Sequence, residues 1–147
     1  MLEARPLAGR SFPEGLLLLQ IYLFVITVPV LLRLKLTRLA GLLEPRRMPP
    51  PDEARANAVI AATERVLGSG RPLVRPGCLT RGLTLFYFLR RAGVDVALLF
   101  GVGEGDGKPA GHCWIVKGGE PFLESRDPRP HFTEVCRLAS GVTVAAV

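Results

Sequence analysis

CLTRGLTLFYFLRR, the sequence of residues 78–91, predicts the helix around which the fold is built. Four of its residues recur at the spacing of one buried helix face: Cys78, Gly82, Leu85 and Leu89. Gly93 follows and predicts the end of the helix. The next run, VDVALLFGV at residues 94–102, predicts a central strand. Because residues 112–116 (HCWIV) and 120–124 (EPFLE) predict two more strands, the sequence indicates an α+β domain.

Cys78 stands in the first turn of the predicted helix. The free N–H groups and the positive end of the helix dipole favour a thiolate over a thiol at that place. Gly82 lies one turn along on the same face, where the missing side chain leaves room for the backbone of a substrate. These features indicate a nucleophilic cysteine. The alternative, judged from this position alone, is an ordinary buried thiol.

His112 begins one strand of a predicted hairpin, and Glu124 ends the other. If residues 117–119 form the turn, His112 lies opposite Glu124, with the two Cβ atoms about 5 Å apart. The carboxylate then holds the imidazole through Nδ1, and the other ring nitrogen is free to take a proton from a thiol. A turn of two residues would shift the register by one and place Glu124 on the wrong face.

Cys78, His112 and Glu124 together make the set that a nucleophilic cysteine needs, since the thiolate attacks an acyl carbon, the imidazole moves the proton and the acid orients the imidazole. The backbone N–H of Cys78 is a candidate donor to the oxyanion. Asp127 is a weaker candidate for the acid, because alternation puts it on the opposite face. Trp114 shares the face of His112 and, with Gly82, is a candidate substrate-binding residue, although packing is the favoured role for Trp114.

Other stretches give weaker signals. Residues 103–111 (GEGDGKPAG) predict a flexible loop rather than a phosphate cradle, because no GKS or GKT follows the glycines. Cys113 and Cys136 are interpreted as structural, and Cys113 is expected to point away from His112. His131 follows a proline and is expected to be exposed. The cysteines and histidines lack metal-ligand spacing, so neither a metal nor another cofactor is predicted.

Residues 15–32 (GLLLLQIYLFVITVPVLL) form a run of 18 residues without a charge. The run predicts a hydrophobic helix that either packs on the domain or a partner protein, or contacts a membrane through Leu16–Leu32. Basic residues follow the run, which places the rest of the chain in the cytoplasm if the helix spans a membrane. Residues 44–51 (EPRRMPPP) predict a linker, after which Asp52 caps a new helix that Gly68 ends. We therefore divide the chain into a docking segment, 1–48, and a catalytic domain, 49–147.

Composition limits the class of protein. Of the 147 residues, 48% are hydrophobic and 22% are charged, which excludes a disordered chain. Three cysteines are an odd number, so a secreted disulfide framework is disfavoured and a cytoplasmic setting is expected. The net charge is +6, but aromatic residues make up 7% and are not interleaved with the basic residues, so no nucleic-acid partner is predicted.

The motif at residues 78–91, followed by a strand, by GHCW at 111–114 and by an acid twelve residues after the histidine, resembles the transglutaminase-like leader peptidases of lasso-peptide maturation. The stand-alone peptidase form, similar to the C-terminal half of the microcin-processing proteins, is the nearest in pattern. The resemblance implies a papain-like fold, with Cys78 as nucleophile, His112 as base and Glu124 as acid. In three places the pattern differs: Gly82 replaces a common Ser or Ala, Cys113 an Ala, and Glu124 an Asp.

The same resemblance implies partners. Such enzymes remove the leader of a ribosomally made precursor peptide, and a separate cyclase then closes a macrolactam on the freed core. Nothing in the sequence looks like the winged-helix module that captures leaders, so a separate leader-recognition protein is implied. Two other functions stay open. One is an acyl transferase that uses the same site with an amine acceptor, and the other is a non-catalytic, membrane-anchored scaffold.

Overall fold

The structure, a computed structural model, describes residues 13–144 as four helices followed by an antiparallel sheet of five strands. The elements are α1 (Glu14–Leu31), α2 (Leu36–Leu43), α3 (Glu53–Leu67), α4 (Cys78–Arg91), β1 (Val96–Gly105), β2 (Lys108–Lys117), β3 (Glu120–Phe122), β4 (Phe132–Ala139) and β5 (Gly141–Val144). The predicted α+β class, the N-terminal hydrophobic helix and the bounds of α4 are confirmed. The helix α2 and the strands β4 and β5 were not predicted.

The hydrophobic helix α1 packs against α3 and α4. Its inner face is buried at Leu17, Ile21, Val25 and Val28. Phe24 stacks on Tyr87 of α4 with ring centroids 4.6 Å apart. The opposite face of α1 is exposed. The domain therefore covers only one side of a helix that is apolar on all sides. By length and composition alone, α1 is also long and apolar enough to cross a membrane.

The proline-rich segment between α2 and α3 forms neither helix nor strand, as predicted. Asp52 caps α3 by accepting a hydrogen bond of 2.9 Å from the backbone N–H of Arg55, which confirms the predicted cap. The backbone N–H of Asp52 in turn donates to the carbonyl of Ala92 at 2.9 Å. Gly93 adopts a φ of 78°, and a side chain there would collide with the carbonyl of Pro50. The linker is therefore fixed to the end of α4.

The sheet has the order β3-β2-β1-β4-β5, so the run that predicted a central strand does form one. The helix α4 packs on one face of β1 and β2. Its residues Leu83, Leu85 and Leu89 are fully buried. The prediction of a loop at residues 103–111 is wrong. The strands β1 and β2 continue through that stretch and turn at Asp106 and Gly107, because Asp-Gly suits the two-residue turn of a hairpin.

Candidate functional site

The candidate nucleophile, Cys78, is the first residue of α4. Gly77 precedes it, and no side chain caps the helix. The N–H groups of the first turn are therefore left without helical partners beside the thiol. Cys78 is half-buried and lines an open cavity of about 320 Å³ between the start of α4 and the strands β1 and β2. His112 lines the same cavity.

The hairpin that carries His112 differs from its predicted register. Lys117 pairs with Glu120, so the turn consists of Gly118 and Gly119, both with positive φ, and not of three residues. Paired glycines with positive φ match the twist of a two-residue turn, which explains the tighter connection. Continued regularly, this register would place Glu124 opposite Cys113 rather than His112.

The conformation of Leu123 changes where the Glu124 side chain lies. The strand β3 ends at Phe122, and Leu123 adopts a left-handed conformation with φ of 63°. Such a residue breaks the alternation of side chains along a strand. Glu124 consequently lies beside the imidazole of His112 and not opposite Cys113. Its Oε2 is 3.2 Å from Nε2 of His112. The predicted pair forms, but by a route that simple alternation does not give.

The nitrogen that meets the acid also differs from the prediction. The carboxylate hydrogen-bonds to Nε2 and not to Nδ1. Nδ1 is thus the nitrogen left for the thiol. The Glu124 side chain is 14% exposed and that of His112 26%, so the pair is partly shielded from water. Within residues 13–144 no hydrogen bond joins Cys78 to His112. Catalytic hydrogen bonds often tighten only when substrate is bound.

Arg81 ties the acid to α4, a function that the sequence analysis missed. Its Nη2 donates to the carbonyl of Leu123 at 2.8 Å, and its Nη1 lies 3.4 Å from Oε1 of Glu124. Its Nε donates to Glu64 of α3 at 2.7 Å. The guanidinium therefore holds both the left-handed residue and the carboxylate that follows it. The signal in the sequence was a charge one turn after Cys78, on a helix that is otherwise uncharged as far as Leu89.

Asp127, the second candidate acid, does not meet the imidazole. Its carboxylate accepts hydrogen bonds from Arg129, with Oδ2 2.6 Å from Nη2, and these bonds hold the pKa of Asp127 below its usual range. Asp127 is exposed, as is His131. Of the two candidate acids, Glu124 is therefore the one that accepts a hydrogen bond from His112.

The two candidate substrate-binding residues are placed in the protein interior. A side chain at Gly82 would come within 2.7 Å of Leu98, so glycine allows α4 to approach the sheet, and the predicted room for a substrate backbone is filled by the core. Trp114 is 2% exposed and packs with Leu99 and Val116. Its ring stacks beside that of His112 at a centroid distance of 5.9 Å. Trp114 thus contacts the imidazole and packs, which was its favoured role.

Cys113 points away from the His112 face, as predicted, into the core beneath α4. Burial raises the pKa of its thiol, and the neighbouring Cys78 raises that pKa further. Among the residues that the structure describes, no group of three or more His, Cys, Asp or Glu side chains could hold a metal ion.

A comparison with protein families matches residues 24–137 to the Transglutaminase-like superfamily. The chain belongs to this superfamily. The match runs from α1 into β4 and so includes Cys78, His112 and Glu124. Members of the transglutaminase-like superfamily are typically enzymes, either cysteine peptidases or acyl transferases. Comparisons with curated proteins and with solved structures find no match.

Proposed function

We propose that this transglutaminase-like protein is a cysteine peptidase that removes the leader from a ribosomally made lasso-peptide precursor. The observation that carries the catalytic part is the hydrogen-bonded pair of His112 and Glu124 on the cavity that Cys78 lines at the start of a helix. The motif at residues 78–124 supports the choice of substrate, through its resemblance to the lasso leader peptidases.

In the acylation step, the Cys78 thiol gives its proton to Nδ1 of His112, and its sulfur attacks the carbonyl carbon of the scissile peptide bond. The carbonyl oxygen becomes an oxyanion, to which the N–H of Cys78 at the uncapped start of α4 would donate a hydrogen bond. The C–N bond then breaks while His112 gives a proton from Nδ1 to the leaving amine. Glu124 at Nε2 fixes the tautomer that this transfer requires.

In the second step, a water molecule attacks the thioester carbon and gives its proton to His112. The C–S bond breaks, the leader leaves as a carboxylic acid, and the thiol is restored. With an amine in place of water, the same site would give an acyl transferase, the second function typical of the superfamily. Product masses separate the two, because hydrolysis adds the elements of water and transfer adds the amine.

The proposed partners are the leader region of the precursor, a separate leader-recognition protein and the lasso cyclase. A non-catalytic scaffold is the alternative in which Cys78 has no role.

Reconstitution of the precursor, the recognition protein and this chain tests the proposal. Cleavage at the junction of leader and core supports it, and an uncleaved precursor under conditions where all three proteins are folded contradicts it.

The exposed face of α1 is the proposed site of contact with a membrane. Its outer stripe consists of Leu16, Leu19, Leu23 and Val30. Arg33, Lys35 and Arg38 follow the stripe, and such cations attract anionic lipid.

We expect the protein to sediment with vesicles of phosphatidylglycerol but not of phosphatidylcholine. A double variant, Leu19→Glu with Leu23→Glu, should reduce the bound fraction several-fold. If the wild type stays in the supernatant with both kinds of vesicle, the membrane contact is contradicted. The recognition protein would then be the proposed partner of this face of α1.

Arg81 is expected to act as a positioning residue through Glu124. Glutamine is shorter than arginine, so Arg81→Gln should lose the hydrogen bonds to the Leu123 carbonyl and to the Glu124 carboxylate. Because the carboxylate is then misplaced, kcat/KM should fall about 10- to 100-fold. In a Glu124→Gln background the same change should have little further effect, since both act on one pair. Arg65→Gln is the matched control, because its ion pair with Glu14 is exposed. Additive losses in the double variant would contradict this role.

A further inference from the structure

A second thiol, Cys113, lies beneath the nucleophile. It is 4% exposed and belongs to the core on the α4 side of β2. The Cys113 Sγ is 3.4 Å from the point where a Cβ at Gly82 would lie. Gly82 is four residues after Cys78 on the same helix face, and such positions have Cβ atoms about 5–6 Å apart. The helix therefore brings the two thiols together.

Two further observations support the proximity of the two sulfurs. Cys78 and Cys113 line the same cavity, and both are free. Cys78 is also, after burial, a cause of the raised pKa of the Cys113 thiol, which indicates that the two thiols interact. Cys136, the third cysteine, is on β4 and does not line this cavity.

We infer that Cys78 and Cys113 form a reversible disulfide when a hydroperoxide reaches the cavity, and that Cys113 is the resolving cysteine for the nucleophile. The inference rests on the proposed function for its consequence, since a Cys78 held in a disulfide cannot attack an acyl carbon. The formation of the bond itself does not require the protein to be a peptidase.

The reaction has two steps. The Cys78 thiolate attacks one oxygen of the peroxide, so an S–O bond forms and the O–O bond breaks. The alkoxide or hydroxide that leaves takes up the proton that the thiol had lost and becomes an alcohol or water. The Cys113 sulfur then attacks the Cys78 sulfenic sulfur. The S–S bond forms, the S–O bond breaks, and hydroxide leaves as water with the proton of Cys113. Two thiols are oxidised by two electrons, and one peroxide is reduced.

The surroundings of the two thiols set the order of the steps. Cys78 is half-buried at an open cavity and can meet the peroxide. Cys113 is buried, and burial raises the pKa of its thiol, so it has little thiolate for direct reaction with peroxide. Without Cys113, the sulfenic acid would continue to the sulfinic acid, which a dithiol does not reverse.

The test uses peroxide, alkylation and mass spectrometry on the purified full chain. Trypsin places the three cysteines in three different peptides, so each linkage can be assigned. Hydrogen peroxide should join the Cys78 and Cys113 peptides, and dithiothreitol should release them. Cys78 thiol recovered after dithiothreitol should be about ten times greater in the wild type than in Cys113→Ala. Cys136→Ala should behave as the wild type, and Cys113→Ser replaces Cys113→Ala if that variant misfolds.

Oxidation of wild-type Cys78 to the sulfinic acid without a linked peptide would overturn the inference, as would equal linkage of Cys78 to Cys136. These outcomes are distinct from a failure of the proposed function. A protein that cleaves the precursor but forms no disulfide contradicts the inference alone, and a protein that forms the disulfide but cleaves nothing contradicts the peptidase alone.

Discussion

Replacing Cys78 with alanine should abolish cleavage of the precursor, with kcat/KM reduced by at least about 10³-fold. The reason is that no other group of the described cavity can form the thioester, since Cys113 lies below the surface with its thiol pKa raised. Cys78 is half-buried at a helix start, so the free energy of unfolding should change by no more than about 1 kcal/mol. Rates of cleavage and a denaturant titration measure the two effects.

Cys136→Ala is the matched control for that variant. It removes a more deeply buried thiol from β4, outside the cavity, and should retain the wild-type rate. Cleavage by Cys78→Ala at the wild-type rate would show that Cys78 is not the nucleophile and would favour the non-catalytic scaffold.

The second large effect is expected at His112. In His112→Ala, the thiol loses its base and the leaving amine loses its proton donor, so kcat/KM should fall by about 10³-fold or more. The loss should exceed that of Glu124→Gln, because Glu124 acts on the reaction through the imidazole to which it is hydrogen-bonded.

His131→Ala provides the control, because His131 is the second histidine of the chain and is exposed. It should cleave the precursor at the wild-type rate. Circular dichroism and a thermal melt show whether each variant is folded. Equal losses in His112→Ala and His131→Ala would contradict the assignment of His112 as the base.

The parts of the site that could be predicted depend on local signals. The bounds of α4 follow from an apolar helical spacing and a glycine stop, and they place Cys78 in the first turn. Alternation along β2 correctly separates Cys113 from Trp114 and His112. Each of these inferences uses residues within a few positions of one another.

The parts that could not be predicted depend on contacts between distant residues. The turn at Gly118 and Gly119 is one residue shorter than assumed, and regular pairing would then turn Glu124 away. The left-handed conformation of Leu123 instead brings Glu124 to His112. Arg81 of α4, which is 42 positions earlier in the chain, holds this conformation through a hydrogen bond to the Leu123 carbonyl. A leucine gives no local signal for a positive φ, because that conformation is unfavourable for it in isolation.

The glycine-rich stretch at 103–111 shows a similar limit. Glycines on both sides of Asp106 are typical of a loop, yet β1 and β2 pair along this stretch on both sides of a two-residue turn. Gly103 lies where a side chain would collide with the carbonyl of His131, so its small size serves close strand packing and not flexibility. The partner strand that reveals this, β4, is more than 25 residues further along the chain.

If Cys78 is a nucleophile activated by His112, its thiolate should be detectable with limiting iodoacetamide at about pH 6, because a thiolate reacts and a thiol does not. Tryptic peptides then report each of the three cysteines separately. We expect Cys78 to be alkylated much faster than Cys113 and Cys136 in the wild type, and to lose that advantage in His112→Ala. Alkylation of Cys78 no faster than of the other two cysteines, or at the same rate in both proteins, would contradict the activation of Cys78 by His112.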